Sequence, residues 1–316
     1  MSITTRIFSA ALLFAFGFSA DLARARDITK FEVVDLACHE TTTERLVHAS
    51  RLFHLDGLPR ALVTDAETFE SEVVDPKHLD CEDPSARAEV DASRFGRALE
   101  KSTAAPYPIR DDGVTHALVP VNGVFLSADL CPASHEKFEY RFFNELEVIA
   151  HRAGVPVPIA IAISGKWLRK HTEDFDMLRL LSETGKISIT WVNHSDTHPY
   201  RRGEKMEDNF LLESGLNPDA EIENVEFELL SRNEIPSTYF RFPGLVSNEK
   251  WIRALKRHSL IPVGADAWLA LDEKPVSGSI ILVHANGNEP EGISKFLKTI
   301  KSIEALGPFL PFSALF

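Results

Sequence analysis

The run Asn193-His194-Ser195-Asp196-Thr197-His198-Pro199 sets two histidines four residues apart, directly after an apolar stretch. Neutral imidazole binds divalent cations, and two of them on one turn of helix-like chain can grip a single small ion. A cation held there can polarise a carbonyl and lower the pKa of a water it carries, which is hydrolytic chemistry. With 12 histidines in 316 residues, the spacing alone carries little weight. Its weight comes from polar residues at the ends of other apolar runs. Asp129 closes Phe125-Leu126-Ser127-Ala128, Arg241 closes Thr238-Tyr239-Phe240, Asp266 follows Val263-Gly264-Ala265, and His284 closes Ile280-Ile281-Leu282-Val283. A carboxylate, a guanidinium and an imidazole delivered to one place form a proton-transfer set.

Those runs read as strands. Ile187, Ile189 and Trp191 alternate with Ser188, Thr190 and Val192, the period of a strand with one well-buried face. Residues 117–127, 155–164, 238–242, 260–264 and 279–284 complete a set of six. Helical periodicity fills the gaps at 136–152, 167–181 and 292–306; the first carries Phe138, Phe142, Leu146 and Ile149 and stops at Gly154. Strands alternating with helices predict a parallel sheet, and at this length an α/β barrel with its chemistry at the strand ends.

In this order the strand ends resemble the motifs of the polysaccharide deacetylase family, the NodB-homology carbohydrate esterases. That family carries Thr-Phe-Asp-Asp-Gly, His-[Ser/Thr]-x-x-His, an Arg-x-Pro-x-Gly-like element, an Asp-x-x-x-Trp-like element and Leu-x-His. Here they stand as Ser127-Ala128-Asp129-Leu130-Cys131, His194 to His198, Arg241-Phe242-Pro243-Gly244, Asp266-Ala267-Trp268 and Leu282-Val283-His284. The resemblance covers about residues 118–316, including the Gly165-Lys166-Trp167-Leu168 turn and a closing strand near Phe309. It implies a distorted parallel (β/α) barrel of the NodB-homology type, preceded by an extension.

The resemblance also implies roles. A divalent metal, zinc by default from the histidine donors, would sit on His194 and His198. Asp129 would be the general base, oriented and kept ionised by Arg241. His284 would protonate the leaving sugar nitrogen, held by Asp266, while Trp268 and Leu282 wall an acetyl pocket. The implied activity is hydrolysis of N-acetyl groups on an amino-sugar polysaccharide.

One position departs from the family. Its second aspartate is a metal ligand, and Leu130 stands in its place, with Cys131 where the family has glycine. Two histidines and waters hold a metal more weakly than three protein ligands. The missing donor could be Asp129 itself, a Cys131 thiolate, or Asp196, which at i+2 points away from the histidines. Leu130 also opens a second reading, a glycan-binding protein with impaired catalysis, and hydrolysis of a non-sugar amide is a third.

The ends and the overall charge bound the rest. Arg6 and an apolar run over 7–18 precede Ala23-Arg24-Ala25, which predicts a signal peptide cleaved near Ala25 and export to the periplasm or medium. No other stretch approaches transmembrane length, so the cleaved chain would not span a membrane. Its net charge moves from −13 to −14 on loss of Arg6, Arg24 and Asp21. That balance disfavours nucleic acid and anionic lipid as partners. Residues 1–25, 26–117 and 118–316 thus read as signal peptide, extension and barrel. In the extension, Thr41 to Glu44 reads as a capping box opening a helix to Phe53, and Pro106 with Pro108 as a linker. His39, His48, His54 and His78 read as surface residues. Of the three cysteines, Cys38 pairs with Cys81 if an oxidising compartment permits one disulfide, leaving Cys131 beside the site; three free thiols are the alternative.

Overall fold

A computed structural model describes residues 25–132 and 137–316, so the signal-peptide expectation lies outside the described residues except at Ala25. The strands among the described residues form two sheets. The first is antiparallel, built from β1 (Ile28–Glu40), β2 (Leu46–Leu55), β3 (Leu58–Asp65), β4 (Ser71–Val74) and β5 (Leu79–Asp80) in the order β4-β3-β2-β1-β5. Helices α1 (Pro84–Ala92) and α2 (Arg94–Ser102) follow it.

The second sheet positions the site. It joins β6 (Phe125–Leu130), β7 (Val157–Ile163), β8 (Ile187–Asn193), β9 (Pro236–Phe240), β10 (Ile261–Pro262), β11 (Ala267–Trp268) and β12 (Ile280–His284), in the order β10-β9-β8-β7-β6-β12-β11. Every pairing is parallel. Parallel neighbours need long crossovers. Here α3 (Tyr140–Ala153), α4 (Gly165–Lys170), α5 (Thr172–Glu183), α6 (Pro218–Ser231) and α7 (Glu249–Arg257) supply them, and α8 (Pro290–Glu304) follows the last strand. The sheet curls but β10 and β11 do not pair, giving the expected distorted (β/α) barrel.

Side chains alternate along each strand, and β6 shows what this does. Leu126, Ala128 and Leu130 enter the apolar layer under the helices with Phe142, Leu146, Ile163 and Phe296. Phe125 faces the barrel interior with Ala160, Val192, Tyr239 and Leu282. Ser127 and Asp129, two and four residues on, share that inner face. The strand therefore turns Asp129 toward the interior and Leu130 away from it.

Several expected bounds shift. The strand foreseen at 117–127 begins only at Phe125; residues before it make single bridges instead, Val114 with Val263 and His116 with Ser279. The helix foreseen at 167–181 is two, broken at His171. The helix foreseen from Thr41 to Phe53 is absent, because β2 occupies Leu46–Leu55. Thr41 to Glu44 is instead the turn of a hairpin, with Glu44 at φ 57° and its N–H donating to the Glu40 carbonyl at 2.8 Å.

The extension is fastened to the barrel by a buried charge. Arg51 on β2 forks onto Glu226 of α6, both contacts 2.7 Å, and donates to the His258 carbonyl at 3.1 Å. Neither side chain of the pair is more than 2 % exposed, so the attraction is little screened. His48 is buried rather than on the surface; burial lowers its pKa against the opposing pull of Asp35. Cys38 and Cys81 form a disulfide, and Cys131 is free and buried. No helix among the described residues is long and apolar enough to cross a membrane.

Candidate active site

Strand register brings the polar residues to one rim. His284 is the direct neighbour of Asp129 across β12 and β6, and Leu130 pairs with Ile163 of β7. Ile163 in turn pairs with Asn193 of β8, and Asn193 with Phe240 of β9. The residues that follow, His194 and Arg241, start from the same level.

The two histidines meet through a coiled loop, not a helical turn. Ser195 and His198 adopt left-handed φ angles of 64° and 43°, conformations that histidine tolerates better than most side chains. Their rings end with centroids 4.7 Å apart. Glu221 of α6 staples the loop, accepting from the Thr197 amide at 2.9 Å and its hydroxyl at 2.6 Å. Asp196 is turned outward, accepting from Arg169 at 2.7 Å and Asn224 at 3.0 Å, so it is no ligand. Gly165 allows that: a Cβ there would stand 2.1 Å from the Asp196 carboxylate.

Donor chemistry fits a cation. His194 Nδ1 lies 2.8 Å from the Arg241 carbonyl, which fixes the proton on that nitrogen and leaves the Nε2 lone pair facing Cys131 and Asp129. His198 Nε2 is buried without a hydrogen-bond partner. An orphaned buried nitrogen is costly, and a cation would satisfy it.

Asp129 is fully buried and pinned. Arg241 Nη1 donates to its Oδ1 at 2.9 Å and to Ser127 Oγ at 2.7 Å, while Nη2 donates to the Gly264 carbonyl at 2.7 Å. Burial pushes the Asp129 carboxyl up, but Arg241, then His194 and His284, outweigh it and hold the group below the usual carboxylate range. Cys131 returns to the site side of the chain, its Sγ 3.5 Å from His194 Nε2. Burial opposes its ionisation, yet the facing His198, His194 and His284 hold the thiol well below its ordinary value.

Leu130 is 0 % exposed and packs in the helix-facing layer. Restoring the family carboxylate with Leu130→Asp is therefore expected to bury an unpaired acid among apolar side chains. We expect a loss of stability of roughly 2–5 kcal/mol, read by urea unfolding, and no gain in metal affinity. Tighter metal binding in a stable Leu130→Asp variant would show that the strand end rearranges.

His284 sits between Cys131 and Glu289. Its Nδ1 lies 2.9 Å from Glu289 Oε2, an ion pair not aligned as a hydrogen bond, and the Trp268 indole N–H donates to that same oxygen at 2.7 Å. Burial works against the imidazolium, but Cys131, then Glu289 and Asp129, raise the His284 pKa well above its ordinary value. Asp266 does not hold His284. It accepts from the Ile280 amide at 2.9 Å and pairs with His116 Nδ1 at 2.6 Å. The register explains the error: Ala267 and Trp268 pair with Ile281 and Leu282, so Asp266 lies level with Ile280, four residues down the strand from His284. That is about 13 Å at ~3.3 Å per residue. Glu289 fills the role instead, and sequence reading passed over it. Its signal was local, a carboxylate five residues after His284 and just before the proline that opens α8.

Asp129, Cys131, His198, His284 and Glu289 line one cleft of about 840 Å³, which Trp268 and Leu282 also line. Lys166, Tyr200 and Arg201 stand on its margin. Among solved structures, a family 4 carbohydrate esterase from Bacillus anthracis is 18% identical, with TM-score 0.48 over 70% of this chain and 90% of that one. The chain is similar to family 4 carbohydrate esterases. A chitin deacetylase from the fungal pathogen Colletotrichum lindemuthianum is 14% identical, TM-score 0.46, over 67% and 92% of the two chains. A CE4 family pseudoenzyme from Bacillus anthracis is 12% identical, TM-score 0.41, over 60% and 63%. No family model matches the sequence.

Proposed function

We propose that this chain is an exported, metal-dependent member of the polysaccharide deacetylase group that removes N-acetyl groups from an amino-sugar polysaccharide. The observation that carries the reading is one cleft lined by His198, with His194 packed against it, by an Arg241-clamped carboxylate and by an imidazole paired with a glutamate. Export rests on the apolar start of the chain, and the polymer on the resemblance in the motifs.

A divalent cation bound at His194 and His198 would supply Lewis acidity toward the acetyl carbonyl. Asp129, ionised through Arg241, accepts a proton from the attacking water at Oδ2, the oxygen Arg241 leaves unbound and which lies 3.6 Å from His194 Nε2. His284 enters the reaction protonated and delivers that proton to the amine nitrogen as the C–N bond breaks. Glu289, braced by the Trp268 indole, stands beside His284 Nδ1 and supplies a negative charge to the ring. Water oxygen leaves in acetate, and the amine carries away the proton from His284. Trp268 and Leu282 offer an apolar wall to the acetyl methyl.

The test is metal content of the purified protein, with acetate release from N-acetylglucosamine oligomers before and after chelation. Near-stoichiometric metal and chelator-sensitive release are expected. The competing reading, a glycan-binding protein, is favoured by Leu130 lying in the core where the family places a ligand. Retention of oligomers without metal or acetate release would establish that reading instead.

A further inference from the structure

We propose that Cys131 is the third protein ligand of this cation site, making it a His2Cys centre suited to zinc in place of a histidine–carboxylate one. The inference rests on the preceding assignment of His194 and His198 as cation donors. Three observations carry it. The group of donors that contains both histidines, all ligand atoms within 4.8 Å of one another, is completed by Cys131 and not by Asp129. Cys131 Sγ lies 3.5 Å from His194 Nε2. A tetrahedral zinc with Zn–S of about 2.3 Å and Zn–N of about 2.0–2.1 Å places sulfur and nitrogen about 3.6 Å apart. With the His194 proton fixed on Nδ1 by the Arg241 carbonyl, Nε2 presents a lone pair to that sulfur.

The third observation is what the other donors are doing. Asp129 Oδ1 is held by Arg241, and its Oδ2, although 3.6 Å from His194 Nε2, does not fall within 4.8 Å of both histidine donors as Cys131 Sγ does. Asp196 is bound to Arg169 and Asn224. Leu130 packs under the helices. Cys131, just past the end of β6, turns its sulfur toward His194 and, since Cys38 and Cys81 are joined, has no disulfide partner. Thiolate is a soft donor, so the site should discriminate in favour of Zn²⁺ and Co²⁺ and against Mg²⁺, which prefers oxygen.

The experiment loads chelator-stripped full-length protein with Co²⁺ and with Zn²⁺, beside Cys131→Ser and Cys131→Asp. We expect one cobalt per chain and a near-ultraviolet thiolate-to-cobalt charge-transfer band that both variants lose. Zinc affinity should fall about 100-fold or more in Cys131→Ser, since even an outer-shell partner is worth about 10–100-fold. Cys131→Asp should recover part of that affinity without the band, which separates lost ligation from misfolding. Zinc should also shield the single free thiol from alkylation. Stoichiometric cobalt without the band, and unchanged affinity in Cys131→Ser, would overturn the assignment and leave the histidine site standing. No cobalt binding by the parent protein would overturn both. Hydrolysis that survives chelation but vanishes in Cys131→Ser would overturn it in favour of a thiolate nucleophile served by His284 and Glu289.

Discussion

Replacing His284 with glutamine is expected to lower acetate release by about 10²–10⁴-fold while metal content stays at the parent level. The loss follows from the work asked of this side chain. An amine is a poor leaving group unless it is protonated as the C–N bond breaks, and the cleft offers one cationic imidazole beside Asp129. Burial opposes the imidazolium, while Cys131, Glu289 and Asp129 raise its pKa, and the two carboxylates still act when Cys131 is committed to a metal. Glutamine keeps a polar contact with Glu289 and has no proton to give. The deficit should therefore lie in kcat, with binding of the oligomer little changed. Glu289→Gln should fall between the parent and His284→Gln, because it weakens the orientation and charge of the ring without removing it. A His284→Gln enzyme close to the parent rate would remove His284 from the proton-transfer step, and with it the role assigned to Glu289.

The barrel was legible because its strands are buried runs that end abruptly in polar residues. A strand such as β12 reads Ile-Ile-Leu-Val-His, and nothing but a buried strand meeting a polar site explains that change of texture. Asp129, His194, His198, Arg241 and His284 were all visible for this reason, and register brings their strand ends level. Asp266 was misassigned because order along the chain says nothing about height on the sheet. Its short strand sets it level with Ile280, four residues below His284. Glu289 was invisible because it reaches the site from a turn folding back beneath Trp268, and turn geometry leaves little trace in composition. The N-terminal sheet failed differently. β2 is central in its sheet and buried nearly throughout, so it lacks alternation. Thr41 and Glu44, spaced as a capping box, close a hairpin instead, because the strands on either side had already claimed the backbone hydrogen bonds.

Arg241→Met should be the most destabilising single change at the site, at about 3–5 kcal/mol by urea unfolding of chelated protein. An exposed ion pair would cost no more than about 1 kcal/mol, but here both side chains are at most 4 % exposed. Methionine fills the space and leaves Asp129 as an uncompensated buried carboxylate, while the Ser127 hydroxyl and Gly264 carbonyl lose their donors. The pH dependence separates this cause from simple misfit. In the parent, Asp129 titrates below the value of the unfolded chain, so its contribution is complete above about pH 4 and is lost as pH falls through the lower folded value. Removing Arg241 takes away the largest of the interactions that lower the Asp129 pKa, so the folded value moves up. The deficit of the variant should then shrink on acidification from about pH 7 toward pH 4, as protonation relieves the buried charge. A deficit constant across that range would assign the loss to packing and the severed Gly264 contact. Arg241→Lys should recover part of the stability but little activity, because a point charge cannot fork onto Asp129, Ser127 and Gly264 together. The residue that lets the strands close over a carboxylate is thus the one that keeps that carboxylate ionised for chemistry.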